Sequence, residues 1–178
     1  MTVNLVTMRK LVRDRLGVPA TDDFITDDII DSSINLAIIT FDSEHRWPWN
    51  ETTADLTLTA GTNWYSLPTD WRAMRAVTYL HDVLEPMPAY DLDRFIQGSG
   101  GHPRYYAIVN DQIRLEPSPQ NNATAKMYYY REPKLLTLDI DTTRCPDEHV
   151  MALVAKATQL CATRESERFE AQDHLAEY

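Results

Sequence analysis

The sequence predicts an α+β fold, in which a helical bundle built from the N- and C-terminal helices carries an inserted antiparallel β domain. Apolar positions recur every three to four residues up to residue 45 and again from residue 146, as on one face of a helix, but every two residues in between. Only the three long helical segments carry wide apolar stripes, so the first two must pack with the third to bury them. We therefore expect a helical domain of residues 1–50 and 139–178, interrupted by a β domain of residues 51–138.

Two helices are predicted before the β domain. The apolar stripe of residues 2–16 ends at Gly17, which predicts the first helix and its end. The second helix is predicted from about Thr26 to His45, because Thr26 is a natural N-cap and Asp27 favours the positive end of the helix dipole. Each helix has one apolar face and therefore needs a neighbour to cover it.

The middle of the chain is predicted to be antiparallel β with one short helix at residues 89–97. Residues 54–60 and 64–67 alternate between apolar and polar side chains, and residues 61–63 have the composition of a turn. These two runs are therefore expected to form a hairpin.

A second reversal is predicted at Asp111 and Gln112. These residues leave room only for a tight turn between the runs 108–110 and 113–115, so the two runs should pair antiparallel. Residues 83–89 contain two prolines, which cannot both lie in a central strand, so this segment is expected at an edge or in a loop. Further strands are predicted at residues 72–80 and 124–132.

The third long helix is predicted from Pro146, which suits the first turn of a helix. Its apolar stripe is dense up to Cys161 and thins after Ala162 to Phe169 and Leu175 in a charged background. An isolated helix of about 15 residues is marginal in water, so this tail is expected to need a partner.

All four tryptophans, Trp47, Trp49, Trp64 and Trp71, fall within residues 46–71, where the chain passes from the bundle to the sheet. Large aromatic side chains there would join the two layers, and each fully buried tryptophan contributes roughly 2–3 kcal/mol. We interpret them as bundle–sheet core. The alternative is an exposed aromatic platform for a sugar or for single-stranded nucleic acid.

The composition excludes several classes of function. The formal net charge is −10 and no segment is basic, whereas binding to phosphates needs clustered cations, so specific nucleic-acid binding is not expected. No apolar run approaches about 18 residues and no signal peptide is recognised, so we expect no membrane span. Two cysteines and five scattered histidines predict no metal site. The glycine-rich residues 97–103 lack the lysine of a phosphate-binding loop, so no cofactor is expected and a mobile loop is predicted.

Asp139, Asp141 and Thr143 form the sequence pattern that most suggests catalysis. Their D-x-D-x-T spacing after an apolar run resembles that of haloacid-dehalogenase-type phosphotransferases, which present a nucleophilic aspartate, a general acid and a hydroxyl at the end of a strand. In those enzymes a large parallel-sheet domain follows, whereas here only the C-terminal helical segment follows. We interpret the motif as a polar connection into that helix and expect no enzyme; the alternative is an enzyme with Asp139 as nucleophile.

Several segments resemble the head-to-tail adaptor (connector) proteins of tailed bacteriophages. The shared features are the aromatic entry to the sheet, the Y-S-L-P-x-D-W turn at Tyr65–Trp71, the P-x-Y-Y…I-x-L-x-P-x-P hairpin at Pro103–Pro119 and the Y-Y-x-x-P strand end at Tyr129–Pro133. The resemblance covers roughly residues 26–165. It is a pattern of hydrophobic and turn positions, which implies a shared fold and no catalytic signature.

The resemblance implies a structural virion protein without a cofactor. Adaptors of this family form a homo-oligomeric ring, usually of twelve copies, beneath the portal protein at the head–tail junction, after assembly in the bacterial cytoplasm. The ring extends the channel through which genomic DNA passes without specific binding, and it contacts the next tail or neck protein. By the same resemblance, the tail residues Phe169, Leu175 and Tyr178 would dock onto the portal. The loop glycines Gly98, Gly100 and Gly101 would contact the tail side or a neighbouring subunit.

The acidity of the chain acquires a function under this resemblance, because a channel lined by like charge repels DNA and lets it slide. Two alternatives stay open. One is another component of a phage tail or neck. The other is a β-domain module that binds a host or carbohydrate ligand through exposed tryptophans.

Overall fold

The computed structural model describes residues 3–95 and 100–176. The chain divides into two compact units, one formed by Met1–Trp49 with Pro133–Tyr178 and the other by Asn50–Glu132. The first unit is helical, and the second contains the strands and a short helix. The predicted α+β class, with N- and C-terminal helices flanking a β region, is confirmed.

Within the described residues, the helices are α1 (Leu5–Leu16), α2 (Asp27–Glu44), α3 (Ala89–Phe95) and α4 (Asp147–Ala176). The strands are β1 (Glu51–Leu58), β2 (Trp64–Ser66), β3 (Trp71–Tyr79), β4 (Asp82–Val83), β5 (Glu85–Pro86), β6 (Tyr105–Val109), β7 (Gln112–Glu116) and β8 (Ala123–Arg131). A 3-10 turn, Pro48–Asn50, precedes β1.

Local capping explains the ends of the first two helices. The Asn4 side chain accepts a hydrogen bond from the Thr7 backbone N–H at the start of α1, at 3.0 Å. Gly17 ends α1 with a left-handed φ of 71°. Thr26 caps α2 by accepting from the Ile29 N–H, as the sequence predicted. The helix boundaries therefore follow from residues next to them in the chain.

The helical unit has its own hydrophobic core, to which α1, α2 and α4 all contribute. Its buried residues are Leu5, Met8, Val12, Ile25, Ile30, Ile34, Ala37, Ile38, Leu136, Cys145, Val150, Leu153, Val154, Ala157 and Cys161. The first two helices therefore bury their stripes together with α4. Both cysteines are free thiols.

Residues 133–138, which the sequence analysis placed in the β domain, belong to the helical unit in the structure. Leu136 is buried in the helical core. The Asn35 side-chain amide donates to the Leu136 carbonyl at 2.9 Å and its oxygen accepts from the Leu136 N–H at 2.8 Å. A polar side chain on α2 thus holds a segment from the far end of the chain.

The β unit contains two four-stranded sheets around one shared core. The strand order is β1-β8-β3-β4 in the first sheet and β2-β7-β6-β5 in the second. The buried side chains of both sheets form a single cluster: Leu56, Leu58, Leu67, Val77, Tyr79, Leu84, Tyr106, Ile113, Leu115, Ala125, Met127 and Tyr129. The alternation of apolar residues therefore marks the inner face of each sheet.

The hairpin predicted between residues 54–60 and 64–67 is wrong. β1 pairs antiparallel with β8, and β2 pairs antiparallel with β7, so the two runs lie in different sheets. The link between them is fixed across the turn, where the Tyr65 hydroxyl donates to the Thr62 carbonyl at 2.7 Å. Alternation shows which face of a strand is buried, but it does not identify the partner strand.

The reversal predicted at residues 111–112 is confirmed, because β6 and β7 pair antiparallel. Asn110 and Asp111 form the turn with positive φ values of 47° and 59°, a conformation that these residue types tolerate. β5 lies at the edge of its sheet, as the two prolines of residues 83–89 predicted, but it pairs parallel with β6, so the second sheet is mixed.

Candidate interaction surfaces

The D-x-D-x-T residues lie in the connection that leads into α4, and each makes a structural contact. The Asp141 carboxylate accepts from the backbone N–H groups of Leu138 and Thr137, both at 2.9 Å. These two bonds hold the pKa of Asp141 below its ordinary value. The Thr143 hydroxyl donates to the Cys145 carbonyl at 3.1 Å. The motif therefore fixes the loop of residues 137–142, in agreement with its interpretation as a polar connection.

The other aspartate of the motif, Asp139, belongs to a cluster of charges around Arg9. The Arg9 guanidinium binds Asp31 at 2.5 and 2.6 Å, Asp139 at 2.9 Å and, more distantly, Asp27 at 4.0 Å. The hydrogen bond with Asp31 is the main reason that the pKa of Arg9 is raised above its ordinary value. Arg13 binds the same Asp27 at 2.8 Å. Three carboxylates thus face two cations, which leaves one net negative charge beside the loop.

Three apolar side chains of this connection point into solvent. Leu138 is 60% exposed and Ile140 77% exposed, and Leu135 is also exposed. We call these three residues the connector ridge. The loop that carries them is attached to α1, because the Val6 N–H donates to the Asp139 carbonyl at 3.3 Å. Apolar side chains grouped on a fixed surface loop are typical of a binding surface.

The outer face of the first sheet holds a cleft beside the β3–β4 turn, with a volume of about 480 Å³. We call it the hairpin cleft, and it is lined by Thr78, Leu80, His81, Thr124, Lys126 and Tyr128. Leu80 is 61% exposed. Both turn residues, Leu80 and His81, have positive φ values, 47° and 75°. A leucine in this region costs roughly 1–3 kcal/mol, so the turn is strained at Leu80.

The structure brings two of the four tryptophans together. Trp47 stacks against both Phe41 and Trp49, with ring centroids 4.9 and 4.6 Å away, and its indole N–H donates to the Phe41 carbonyl at 2.9 Å. Trp49 packs against the helical core, whereas Trp71 packs against the β core. Trp64 is 42% exposed on β2.

Trp64 is part of a second polar arrangement, which sequence reasoning missed. The Arg114 guanidinium lies 5.6 Å from the Trp64 ring centroid, within range of a cation–π contact. Arg114 also pairs with Asp93 at 2.5 Å and with Glu116 at 3.3 Å. Glu116 is only 2% exposed, and it accepts a hydrogen bond from the Asn63 amide at 2.7 Å. The alternation of apolar and polar residues along one strand does not predict this arrangement, because the residues that form it come from separate segments of the chain.

The described end of the glycine-rich loop is closely packed. The Gly101 N–H donates to the Ser118 carbonyl at 2.7 Å, and a Cβ at Gly101 would lie 3.1 Å from the Pro117 ring. A Cβ at Gly100 would lie 3.3 Å from Ser118. A side chain at either position would require its neighbour to shift by a few tenths of an ångström. Gly98 lies outside the described residues.

The predicted tail continues α4 to Ala176. Cys161 is fully buried, and Ala162, Thr163 and Arg164 are exposed. Phe169 and Leu175 lie within the helix, but their side chains are outside the description, as is Tyr178 altogether. The helix therefore extends beyond the last turn that is described as packed on the core.

Two further features are absent from the described residues, 3–95 and 100–176. Nowhere in these ranges do three potential metal ligands come together in a group that could hold an ion. None of the helices in the described part of the chain is both long and apolar enough to cross a membrane.

Comparison with known proteins identifies the family. A search among curated proteins returns no match. The family model described as SU10 adaptor protein matches residues 3–178, which is nearly the whole chain. This match confirms the resemblance to head-to-tail adaptors that the turn and hairpin motifs indicated. The chain belongs to the SU10 adaptor protein family, a family of phage head-to-tail adaptors that are structural proteins and not enzymes.

Proposed function

We propose that copies of this chain form a ring of twelve beneath the portal vertex of a phage head, where the ring joins head to tail. The family match over residues 3–178 is the observation that carries the proposal, since membership implies a virion component that assembles with portal and tail proteins. The ring would assemble in the host cytoplasm and contact the next tail or neck protein on its far side.

The length of α4 supports a docking role for the tail. Between Ala162 and Ala176 the helix rises about 21 Å, at about 1.5 Å per residue. A helix of this length has little stability alone, so it gains from a partner surface. We assign portal contact to Phe169, Leu175 and Tyr178.

The glycine loop supports a contact on the tail side or between subunits. Gly101 is fixed against Pro117, and Gly101 and Pro119 form a bridge between their backbones. Gly100 and Gly101, at this end of the loop, therefore have a defined place on the β unit. We assign this contact to Gly98, Gly100 and Gly101.

The charge of the chain supports passage of DNA without specific binding. The net charge is −10, and like charge along the bore would repel DNA and let it slide through the channel. A structure of the ring with a neutral or basic bore would rule out this part of the proposal.

Electron microscopy of particles from a phage with this gene disrupted tests the proposal. We expect heads that package DNA but leak it or fail to join tails. Complementation with the full chain should restore tailed particles, whereas a chain truncated after Ala162 should not, because it lacks the docking tail. Whole tailed particles that only fail to bind cells would contradict the adaptor role and would direct attention to the exposed Trp64 as a site for a host or carbohydrate ligand.

A further inference from the structure

We propose that the connector ridge of one copy inserts into the hairpin cleft of the next copy in the ring. Leu138 and Ile140 enter the cleft, and Asp139 between them faces Lys126 in the cleft wall. The inference rests on the proposed ring and identifies one of its subunit contacts.

The ridge is exposed, apolar and already held in one conformation. The Asp141 carboxylate binds the backbone N–H groups of Thr137 and Leu138, and the Val6 N–H binds the Asp139 carbonyl. A loop held in this way loses little conformational entropy when it binds, so more of the contact energy is realised as affinity. Ile140 is the most exposed large hydrophobic side chain among the described residues. Burial of such side chains is what drives protein association.

The cleft offers a matching surface. Leu80 and Tyr128 supply apolar area, while Thr78 and Thr124 are short enough to leave the volume of about 480 Å³ open. Leu80 is held exposed in a left-handed conformation that asparagine or glycine would adopt at lower cost. A strained and exposed apolar residue beside an open cleft indicates a contact made with a partner.

The charges of the two surfaces are complementary. Beside the ridge, three carboxylates face two cations, and the Asp139 side chain remains 65% exposed. In the cleft, Lys126 is exposed and none of the six lining residues is acidic. Asp55 lies opposite Lys126 in the β1–β8 register, but no ion pair joins them in the described structure. An incoming Asp139 would therefore add a favourable pairing.

A second copy is the partner that fits both surfaces. A ring repeats one head-to-tail contact, and that contact must join two different surfaces of the same chain. The ridge belongs to the helical unit and the cleft to the β unit, so together they provide such a pair. Contact between two ridges would be self-complementary, would end at a dimer and would bring two Asp139 side chains together.

Cross-linking within assembled particles tests this contact. The phage is grown with Ile140→Cys and Thr124→Cys in the same chain, and purified particles are treated with a short bismaleimide. Each copy should link to one neighbour through each thiol, so a denaturing gel should show a ladder that extends beyond dimers. The wild-type chain should give no ladder, because Cys145 and Cys161 are buried. The matched control, Ile140→Cys with Ser43→Cys, should give none either.

The outcomes separate this inference from the proposed function. Products confined to dimers, a link from the Ile140→Cys position to another virion protein, or particles that contain the chain without any cross-link would each overturn the contact and leave the adaptor role intact. Wild-type particles that lack the chain would overturn both.

A charge change supplies a second test that does not depend on cross-linking. Lys126→Glu places a carboxylate against Asp139 and should lower plaque titre by about tenfold or more, because like charges at an interface are strongly unfavourable. Lys10→Glu, the same change at an exposed lysine of α1, should leave the titre nearly unchanged. Because Asp55 lies opposite position 126, Lys126→Glu should lower the melting temperature slightly, and thermal unfolding should show that both purified full-length variants are still folded at the growth temperature. Equal titres for the two variants would overturn the contact.

Discussion

The helical unit and the β unit join distant parts of the chain by different contacts. In the helical unit, each helix is set by neighbouring residues, and single polar side chains such as Asn35 and Arg9 then hold the returning connection. In the β unit, β1 pairs with β8, the last strand of the unit, and the next strand after β1, β2, enters the other sheet. Helix boundaries therefore depend on local chemistry, whereas strand partners depend on a core assembled from distant segments.

The largest expected effects come from shortening one buried side chain in each core, in separate variants. Ile34→Ala in the helical core and Ile113→Ala in the β core, both fully buried, should each lower the free energy of unfolding by about 2–5 kcal/mol. Because the two cores are separate clusters, each change should speed amide hydrogen exchange mainly in its own unit. Ile39→Ala at an exposed site on α2 is the control and should cost less. Equal acceleration in both units after either change would contradict the separation.

A smaller effect is expected from the polar contact that holds the connection. Asn35→Ala should lower the free energy of unfolding by about 1–3 kcal/mol, since the N–H and carbonyl groups of Leu136 would lose their partner. Ser32→Ala, at an exposed position on the same helix, serves as the control. Urea denaturation measures both changes. An Asn35→Ala midpoint equal to that of the control would show that this contact does not stabilise the unit.

Two of the tight turns of the β unit, at residues 80–81 and 110–111, allow a comparison within one unit. His81→Gly should raise the free energy of unfolding by about 1 kcal/mol, because glycine adopts the positive φ of 75° without strain. Asn110→Gly should raise it less, since asparagine already tolerates this conformation. Calorimetric melting temperatures compare the two variants. A larger gain for Asn110→Gly would contradict our account of strain at the β3–β4 turn.

The smallest expected effect is a dependence on pH at Asp141. Its pKa lies below the ordinary value of 3.8, because its carboxylate accepts from the Leu138 and Thr137 N–H groups. A lowered pKa stabilises the folded state above the unfolded-state pKa, and the contribution is lost as pH falls through the folded-state pKa. The wild type should therefore lose more stability than Asp141→Asn on acidification below about pH 4. Urea denaturation midpoints measured across that pH range check this prediction. Midpoints that fall equally with pH in the two proteins would contradict the assignment.

The sequence predicts features that depend on neighbouring residues better than features that depend on distant ones. Thr26 caps α2 where it was expected, because an N-cap acts on backbone groups two and three residues away. The hairpin at residues 54–67 was wrong, because nothing in an alternating run distinguishes β8 from β2 as the partner of β1. The pairing of β6 with β7 was correct, since a two-residue turn leaves no other partner within reach.

The candidate surfaces were only partly predictable. The D-x-D-x-T spacing drew attention to residues 139–143, but their role as loop anchors depends on Arg9 and on the backbone around Leu138. The apolar residues Leu138 and Ile140 could equally have continued a buried strand. Lys126 and Leu80 share a cleft only because β3 and β8 are neighbours in the sheet.

By itself the sequence determined the α+β class, the positions of the long helices and the resemblance to head-to-tail adaptors. Periodicity, caps and turn motifs act over a few residues, so they can be read without knowledge of the rest of the chain. Only the tertiary structure decided which strands pair, that residues 133–138 join the helical unit, and that Leu138 and Ile140 are exposed on a fixed loop. These features depend on contacts between segments far apart in the chain, which local patterns do not encode.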